Sequence, residues 1–481
     1  MKTTIKNLIL SAVLVVGGAS CVDLDPAPYD RETDLTYWEE DPEAAVKALN
    51  TCYTYLGNMD EQLYCEAMTD NAYTKQPNDF TQNIGNGSYS TADSYVKQVW
   101  DGRYTGIRMC NQLLENIDRV PDLDPELKKR YIGEAKVLRA YSYYELYTKF
   151  GDIPYTTKVL SIKESMSIAR TAKATVIVNI LADLDEVING NYLPTSYDAD
   201  NKGRITRWAA MAIKAKIYLF EGNWTQVKNI TSTIMTEGGF KLFGSYAGLF
   251  EIANEYNSEV ILDAQYRPTS REHQMMYVFL PPTLGGYSQL SPLQELVDSY
   301  IMLDGKTIKE TGTSFDESHP YANRDPRLKA TVMYTGNSYT LADGTEVVIN
   351  CEKGEGKDGY GVGSDCSATG YYIKKYWDNT YRATLYSGLN PILIRYADIL
   401  LMNAEALAEL GELDKTAWDA TIKPIRDRAG FTLASALEFP EGASKDKLIE
   451  IVRNERRSEL ALEGHRHKDI IRWRIADNVL N

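Results

Sequence analysis

Hydrophobic and small residues recur every three or four positions in four well-separated stretches of the chain. One runs through Ala45, Leu49, Cys52 and Leu56 to Gly57-Asn58, and another through Ala135, Leu138, Ser142 and Leu146 to Gly151-Asp152. Trp208, Met211, Ala215 and Leu219 lead into Gly222-Asn223, and Ala397, Leu400, Ala404 and Leu407 lead into Gly411-Glu412. That spacing puts each set on one face of a helix. The glycine that follows predicts a left-handed residue ending the helix and starting a turn. Small residues such as Ala212, Ala215, Ala404 and Ala408 leave room for a second helix to approach closely. These are the features of helix–turn–helix hairpins of the tetratricopeptide kind. The glycines at 57, 151, 222 and 411 do not follow the roughly 34-residue tetratricopeptide period. Long insertions must therefore separate the hairpins, and insertions on a rigid scaffold are where binding residues concentrate.

Two insertions carry aromatic rings among turn-forming residues. Residues 71–100 are rich in Gly, Ser and Asn and hold Tyr73, Phe80, Tyr89, Tyr95 and Trp100. Residues 263–300 hold Tyr266, Tyr277, Tyr287 and Tyr300 beside Pro281-Pro282 and Gly285-Gly286. A third segment, 336–377, is Gly-rich with short β-like runs such as 346–349. Tyrosine is the compositional outlier, at 34 against 10 Phe and 7 Trp. A ring with a hydroxyl suits half-wet surfaces, and sugars offer both a C–H face to stack and hydroxyls to bond. Most of these rings are expected to border the core.

Charge and cysteine usage narrow the classes further. With 67 acidic and 52 basic residues the net charge is −15, a field that repels nucleic acid and anionic lipid headgroups. At the N-terminus, Lys2 and Lys6 precede a short apolar run and then Gly17-Gly18-Ala19-Ser20-Cys21, the organisation of a secretory signal. The run is too short to span a bilayer as a helix. Cys21 after small residues resembles a bacterial lipobox, with Gly18 where Leu is usual, and predicts lipidation at Cys21. Asp23 and Asp25 just beyond it resemble the surface-export signal of Bacteroidota lipoproteins. Of the five remaining cysteines, Cys351 and Cys366 bracket a glycine-rich loop and are the preferred disulfide pair. No C-x-x-C, H-E-x-x-H or G-x-S-x-G motif occurs.

The strongest carboxylate pair for glycoside hydrolysis is Glu459 and Glu463. A hydrolase needs one protonated acid, and Arg456 and Arg466, three residues away on either side, lower a carboxyl's pKa. An ion network between helices is the better reading. His465 and His467, two apart, do not face one ligand on a helix. Residues 198–203 open like a calcium loop but carry Lys202 and Ala209 where oxygen ligands are required, so a turn before a helix is expected.

Several blocks together resemble the SusD/RagB family of nutrient-binding lipoproteins. They are residues 134–141 (EAKVLRAY) leading to 150–154 (FGDIP), and 395–406 (RYADILLMNAEA). Near the end come 426–430 (RDRAG), Glu455-Arg456-Arg457, Glu459-Leu460, Glu463-Gly464-His465-Arg466, Asp469 and Arg472-Trp473. With the lipobox they run in the family's order from residue 21 to 473. The sequence has eight residues after Trp473, where family members are expected to continue. The resemblance implies a mostly α fold of dispersed tetratricopeptide-like hairpins with loop and short β insertions. It implies a signal peptide at 1–20, a lipidated tether at 21–38, and two regions, 39–260 and 261–481, packed on one scaffold. It further implies a non-enzymatic, lipid-anchored surface protein of the outer membrane that passes oligosaccharides to a SusC-like TonB-dependent transporter. Peptide capture, as in RagB-like members, is the alternative, and a surface glycoside hydrolase is a further one. No catalytic residue, metal ligand or cofactor is assigned. The ligand is expected to stack on Tyr73, Phe80, Tyr89, Tyr277 and Tyr287, with Asn83 and Arg271 bonding its hydroxyls.

Overall fold

A computed structural model of the protein describes residues 33–34, 36–75, 81–381 and 383–480. Helices dominate. Ala44–Tyr53 packs on Ser94–Asn116, which packs on Pro125–Phe150, then Lys173–Asn189, Arg207–Phe220 and Trp224–Glu237 in turn. Residues 238–395 then interrupt the series. Even so, the next long helix, Tyr396–Leu410, packs directly on Trp224–Glu237, and Lys445–Glu459 packs on it. The fourth predicted hairpin thus continues the stack as though the insertion were absent. Small residues allow this closeness, with Ala212, Ala215, Ala404 and Ala408 all buried.

Three of the four predicted glycine endings take a positive φ, and two of them open a hairpin. Gly151, Gly222 and Gly411 take φ of 68°, 71° and 72°, which favours glycine. Asn223 and Asp414 then cap the following helices, accepting from the backbone N–H of Gln226 and Ala417. Gly57 differs, since it is not left-handed. A Cβ there would sit 3.3 Å from Leu393 Cδ2, so close packing accounts for it. Gly151 ends its helix without starting a hairpin, because an extended segment follows. The region 71–100 was read as one insertion, but a helix begins at Ser94. Trp100 belongs to that helix and packs against Tyr104 and Phe150 at 4.8 and 5.2 Å.

The strands are short antiparallel pairs. Val260–Asp263 joins Ile392–Arg395, Val332–Met333 joins Tyr372–Ile373, and Ser338–Thr340 joins Glu346–Val348, the β-like run of the third insertion. Hydrophobic clusters draw on distant segments. Ile261, Leu262 and Ile394 bury into the helical stack, while Met59, Leu63 and Ala72 bury with residues from 246 to 392.

At the join lies a buried ionic network. Arg395 donates to Glu463 at 2.7 and 2.8 Å, to Glu459 at 2.6 Å and to Glu259 at 2.7 Å. Arg327, Arg428, Arg426 and Lys375 surround the same carboxylates and Glu455. Removing one partner from such a cluster leaves a buried charge unpaired. Arg395→Met is therefore expected to destabilise the fold by about 3–5 kcal/mol, read by denaturant unfolding.

The network also sets an acid limit. Burial alone would raise the Glu463 carboxyl, but Arg395 and Lys375 outweigh it and hold it down at about 2. Asp469 is held at about 2 against its burial by Arg456 and Arg472. Both carboxyls bind a proton more weakly folded than unfolded. The stability they contribute is therefore present above the unfolded value of about 4 and lost as pH falls towards 2. Burial pushes His465 and His467 down to about 3, which adds loss of the same sign on acidification. Thermal unfolding midpoints measured from pH 7 downward are expected to fall from about pH 6.5, where the histidines become charged in the unfolded chain. The fall should steepen below about pH 4, where the carboxyls add to the loss.

Candidate functional site

The two aromatic insertions meet. Strand Ala72–Thr74 pairs antiparallel with Leu290–Pro292, with Tyr73 opposite Ser291. Side chains alternate across a strand, so Ala72 and Thr74 point inward while Tyr73 is left 36% exposed. The pairing continues as Lys75 N–H donates to the Gln289 carbonyl at 2.9 Å, leading the chain back to Tyr287.

Tyr287 lies parallel to Tyr277, with centroids 5.8 Å apart and planes at 17°. The Tyr287 N–H donates to the Tyr277 carbonyl at 2.8 Å, so the backbone sets the stack. Tyr386 stands edge-on to Tyr277 at 6.0 Å and 89°. A bridge between His273 and Ser387 brings it there, and His273 is buried and neutral, pushed down to about 4 by that burial. Tyr277 is half-buried, whereas Tyr287 is 47% and Tyr386 37% exposed. The result is a braced tyrosine platform with a buried root and open outer rings. Sequence reasoning missed Tyr386. It lies in a third part of the chain, and only the long-range bridge carries it to the cluster.

The glycine-rich third insertion closes on the same region. The Lys75 ammonium donates to the Cys366 carbonyl at 2.6 Å, and Asp358 accepts from the Thr283 N–H at 2.8 Å. Tyr360 in that loop is 40% exposed.

The other candidates make no ring contact with the stack, although the helix that carries Asn83 packs on the strand that carries Tyr73. Asn83 lies half-buried on the short helix Thr81–Gly85, and Tyr89, 52% exposed, follows in a loop. Arg271 lies 4.6 Å over the Tyr266 ring and donates to the Gln265 carbonyl at 2.9 Å, so its guanidinium is engaged within its own turn. Phe80 and Cys21 lie outside the described residues.

The carboxylate pair has different partners from those the spacing suggested. The helix ends at Glu459, and Leu462 and Gly464 are left-handed, so Glu463 leaves the helix and turns towards Arg395 and Lys375. Arg456 pairs instead with Asp398 and Asp469, and Arg466 with Asp70. Glu459 is buried, which alone would raise its carboxyl, but Arg428, Arg395 and Arg327 lower it. Neither carboxyl is a proton donor near neutral pH. Residues 198–203 form a turn in which the Asp198 side chain accepts from the Asn201 N–H at 3.0 Å. Cys351 and Cys366 are buried free thiols, contrary to the expected pairing. The Cys366 thiol donates to the Lys357 carbonyl at 3.2 Å, inside the loop rather than across it. Among the described residues no group of three or more His, Cys, Asp or Glu is arranged to hold a metal, and no helix is long and apolar enough to cross a membrane.

Known proteins resemble the chain along almost its whole length. Residues 249–481 match the SusD family, and residues 42–219 match a family described as starch-binding associating with outer membrane. The SusD-like protein P25 of Formosa agariphila is 27% identical, covering 99% of this chain and 91% of that protein. A crystal structure of a SusD-like carbohydrate binding protein from Bacteroides fragilis superposes with a TM-score of 0.80 at 27% identity, over 92% of this chain and 88% of that one. A laminarin binding SusD-like protein shares the fold, with a TM-score of 0.70 at 24% identity over 90% and 91% of the two chains. The order of helices, the interrupting insertion and these matches have one common source: the chain belongs to the SusD/RagB family.

Proposed function

We propose that this protein is a lipid-anchored, non-enzymatic receptor on the cell surface that captures an oligosaccharide on the tyrosine platform and delivers it to a SusC-like TonB-dependent transporter. The observation that carries the reading is the braced cluster of Tyr277, Tyr287 and Tyr386, with Tyr73 exposed on the strand pair that roots it. Sugar sites combine apolar faces with a few placed polar groups, and a ring whose orientation is already set loses little freedom on binding. Carbohydrate binding by the similar Bacteroides fragilis protein supports the ligand class. The hydrolase alternative loses its best acid, because Glu463 stays ionised at neutral pH.

Alanine at Tyr287 or Tyr386 is expected to weaken oligosaccharide binding by about 1–3 kcal/mol, by analogy with lost ring stacking on bases. The unfolding midpoint should scarcely move, since both rings are open to solvent. Isothermal titration against a glycan panel, with Tyr73, Phe80, Tyr89, Tyr277, Asn83 and Arg271 variants alongside, maps the site. Wild-type affinity across the whole set would place it elsewhere. A neutral glycan makes no ion pairs, so its affinity on the platform should be nearly independent of salt.

Lipidation at Cys21 anchors the chain, and the transporter contact falls on the helical hairpin half. Ile162 and Met166, 82% and 84% exposed, are uncovered apolar side chains on that half. Cys21→Ala should shift the protein from the membrane to the soluble fraction. A large β-barrel should co-purify with the native form, through an interface above about 1,200 Å². A Cys21→Ala protein that remains membrane-bound contradicts the anchor.

A further inference from the structure

A cavity of about 450 Å³ opens in the C-terminal part of the chain and shares no lining residue with the tyrosine platform. It lies between the turns at 247–254, the helix Pro326–Thr331 and the segment 374–380. Its volume falls in the range of small-molecule sites.

Its walls carry several charges, of which Lys375 is paired with Glu463 and one buried carboxylate oxygen is left without a partner. Asp378 is only 4% exposed, and its Oδ1 accepts from the Thr380 N–H at 3.0 Å, yet its Oδ2 has no hydrogen-bond partner. Buried polar atoms are nearly always bonded, and an orphaned one needs a cause. Glu251 lines the same cavity, its carboxyl raised by partial burial and then by the nearby Asp378 charge. Lys329 and Lys374 line it as well, the Lys374 ammonium also donating to Asn337 Oδ1 at 3.0 Å. Burial, followed by repulsion from Lys329, lowers the Lys374 ammonium to about 8. Among the described residues none of these four side chains has an ion-pair partner; Lys329 and Glu251 are exposed and Lys374 is half-buried, so Asp378 is the one buried charge of the set.

Three aromatic residues line the cavity, Phe250 and Tyr376 buried and Trp377 more open. Trp377 is half-buried, fixed edge-on against Tyr339 at 5.3 Å and by its indole N–H donating to the Thr340 carbonyl at 2.9 Å. An inorganic anion would satisfy the lysines and leave Asp378 orphaned. A neutral sugar would use Asp378 and Trp377 but leave two lysines facing each other. A cationic ligand would meet both lysines.

We propose that this cavity is a second ligand site, for an acidic saccharide unit whose anion sits between Lys329 and Lys374. Its hydroxyls donate to Asp378 and its C–H face lies on Trp377. A uronic acid and a sulfated sugar share this chemistry. The assignment stands whether or not the platform reading holds.

Isothermal titration of the purified full-length protein with oligogalacturonate, a sulfated galactose disaccharide, neutral galactobiose and a zwitterionic dipeptide tests it. At least one acidic sugar is expected to bind one-to-one, and which one binds identifies the anion. Galactobiose should bind this site roughly tenfold or more weakly, because charge-assisted bonds are lost. Lys329→Ala, at an exposed position with no ion pair to lose, should weaken acidic-sugar binding by a similar factor, as should Asp378→Asn, which keeps the bond to Thr380. Tyr287→Ala should leave it unchanged. Failure of both acidic sugars to bind, stronger binding of the dipeptide, or loss in Tyr287→Ala but not in Lys329→Ala would overturn the proposal.

Discussion

Arg395 is 1% exposed, and each of its five N–H donors has a partner: Glu463 twice, the Glu459 carboxylate, the Glu459 carbonyl and Glu259. Taking a guanidinium out of water is tolerable only when its field is cancelled on every side. Here five cations, Arg327, Lys375, Arg395, Arg426 and Arg428, face five carboxylates, Asp325, Glu259, Glu455, Glu459 and Glu463. They come from segments far apart in the chain. Glu259 precedes the strand that leaves the third hairpin, Arg395 ends the strand that enters the fourth, Glu459 closes the last long helix and Glu463 lies in the turn beyond it. The network therefore couples the interrupting insertion to the helical stack that it splits. A mismatch of even one residue in any of these segments would strand a charge, so the register of the whole join is set there.

A second cluster does the same for the chain end. Asp398 takes Arg456 at 2.5 Å and Lys216 at 2.6 Å, and Asp469 takes Arg456 and Arg472. Asp70 takes Arg466 and Arg457, which ties the root of the first aromatic insertion to residues near the end of the sequence. Most charged residues in the blocks that resemble the SusD/RagB family fall in these two clusters. The family resemblance is therefore carried largely by residues that assemble the scaffold.

That division explains what could be read from sequence. Helix faces, caps and left-handed glycines are local, and so Gly151, Gly222, Gly411 and the capping Asn223 were legible from spacing alone. The ionic partners were not. An i,i+4 reading kept Glu459 and Glu463 on one helix and offered them Arg456 and Arg466. The helix instead stops at Glu459, and the left-handed Leu462 and Gly464 swing Glu463 towards Arg395 and Lys375. The aromatic insertions were legible as turn-rich segments with exposed rings. Their convergence depends on the pairing of Tyr73 with Ser291 and of His273 with Ser387, which leaves no periodic trace. Tyr386 was missed for that reason, and Arg271 was included because nothing local reveals that Tyr266 occupies its guanidinium.

The same physics separates architecture from specificity. Losing a partner in the buried network leaves an unpaired charge in low dielectric, at about 3–5 kcal/mol. Changing an exposed ring such as Tyr287 or Tyr386 removes surface area but leaves no polar group stranded, which is usually worth within about 0.5 kcal/mol of stability. Substitutions on the platform can therefore alter what is bound while the scaffold holds, whereas substitutions in the network cannot be made one at a time without loss of stability. Two proteins that share the scaffold need share no ring of the platform. The tyrosine stack keeps its geometry despite this freedom because its spacing comes from the main chain, through the bonds from Tyr287 to Tyr277 and from Lys75 to Gln289. A replacement side chain at either position inherits the same placement, which lets the platform change chemistry without being rebuilt.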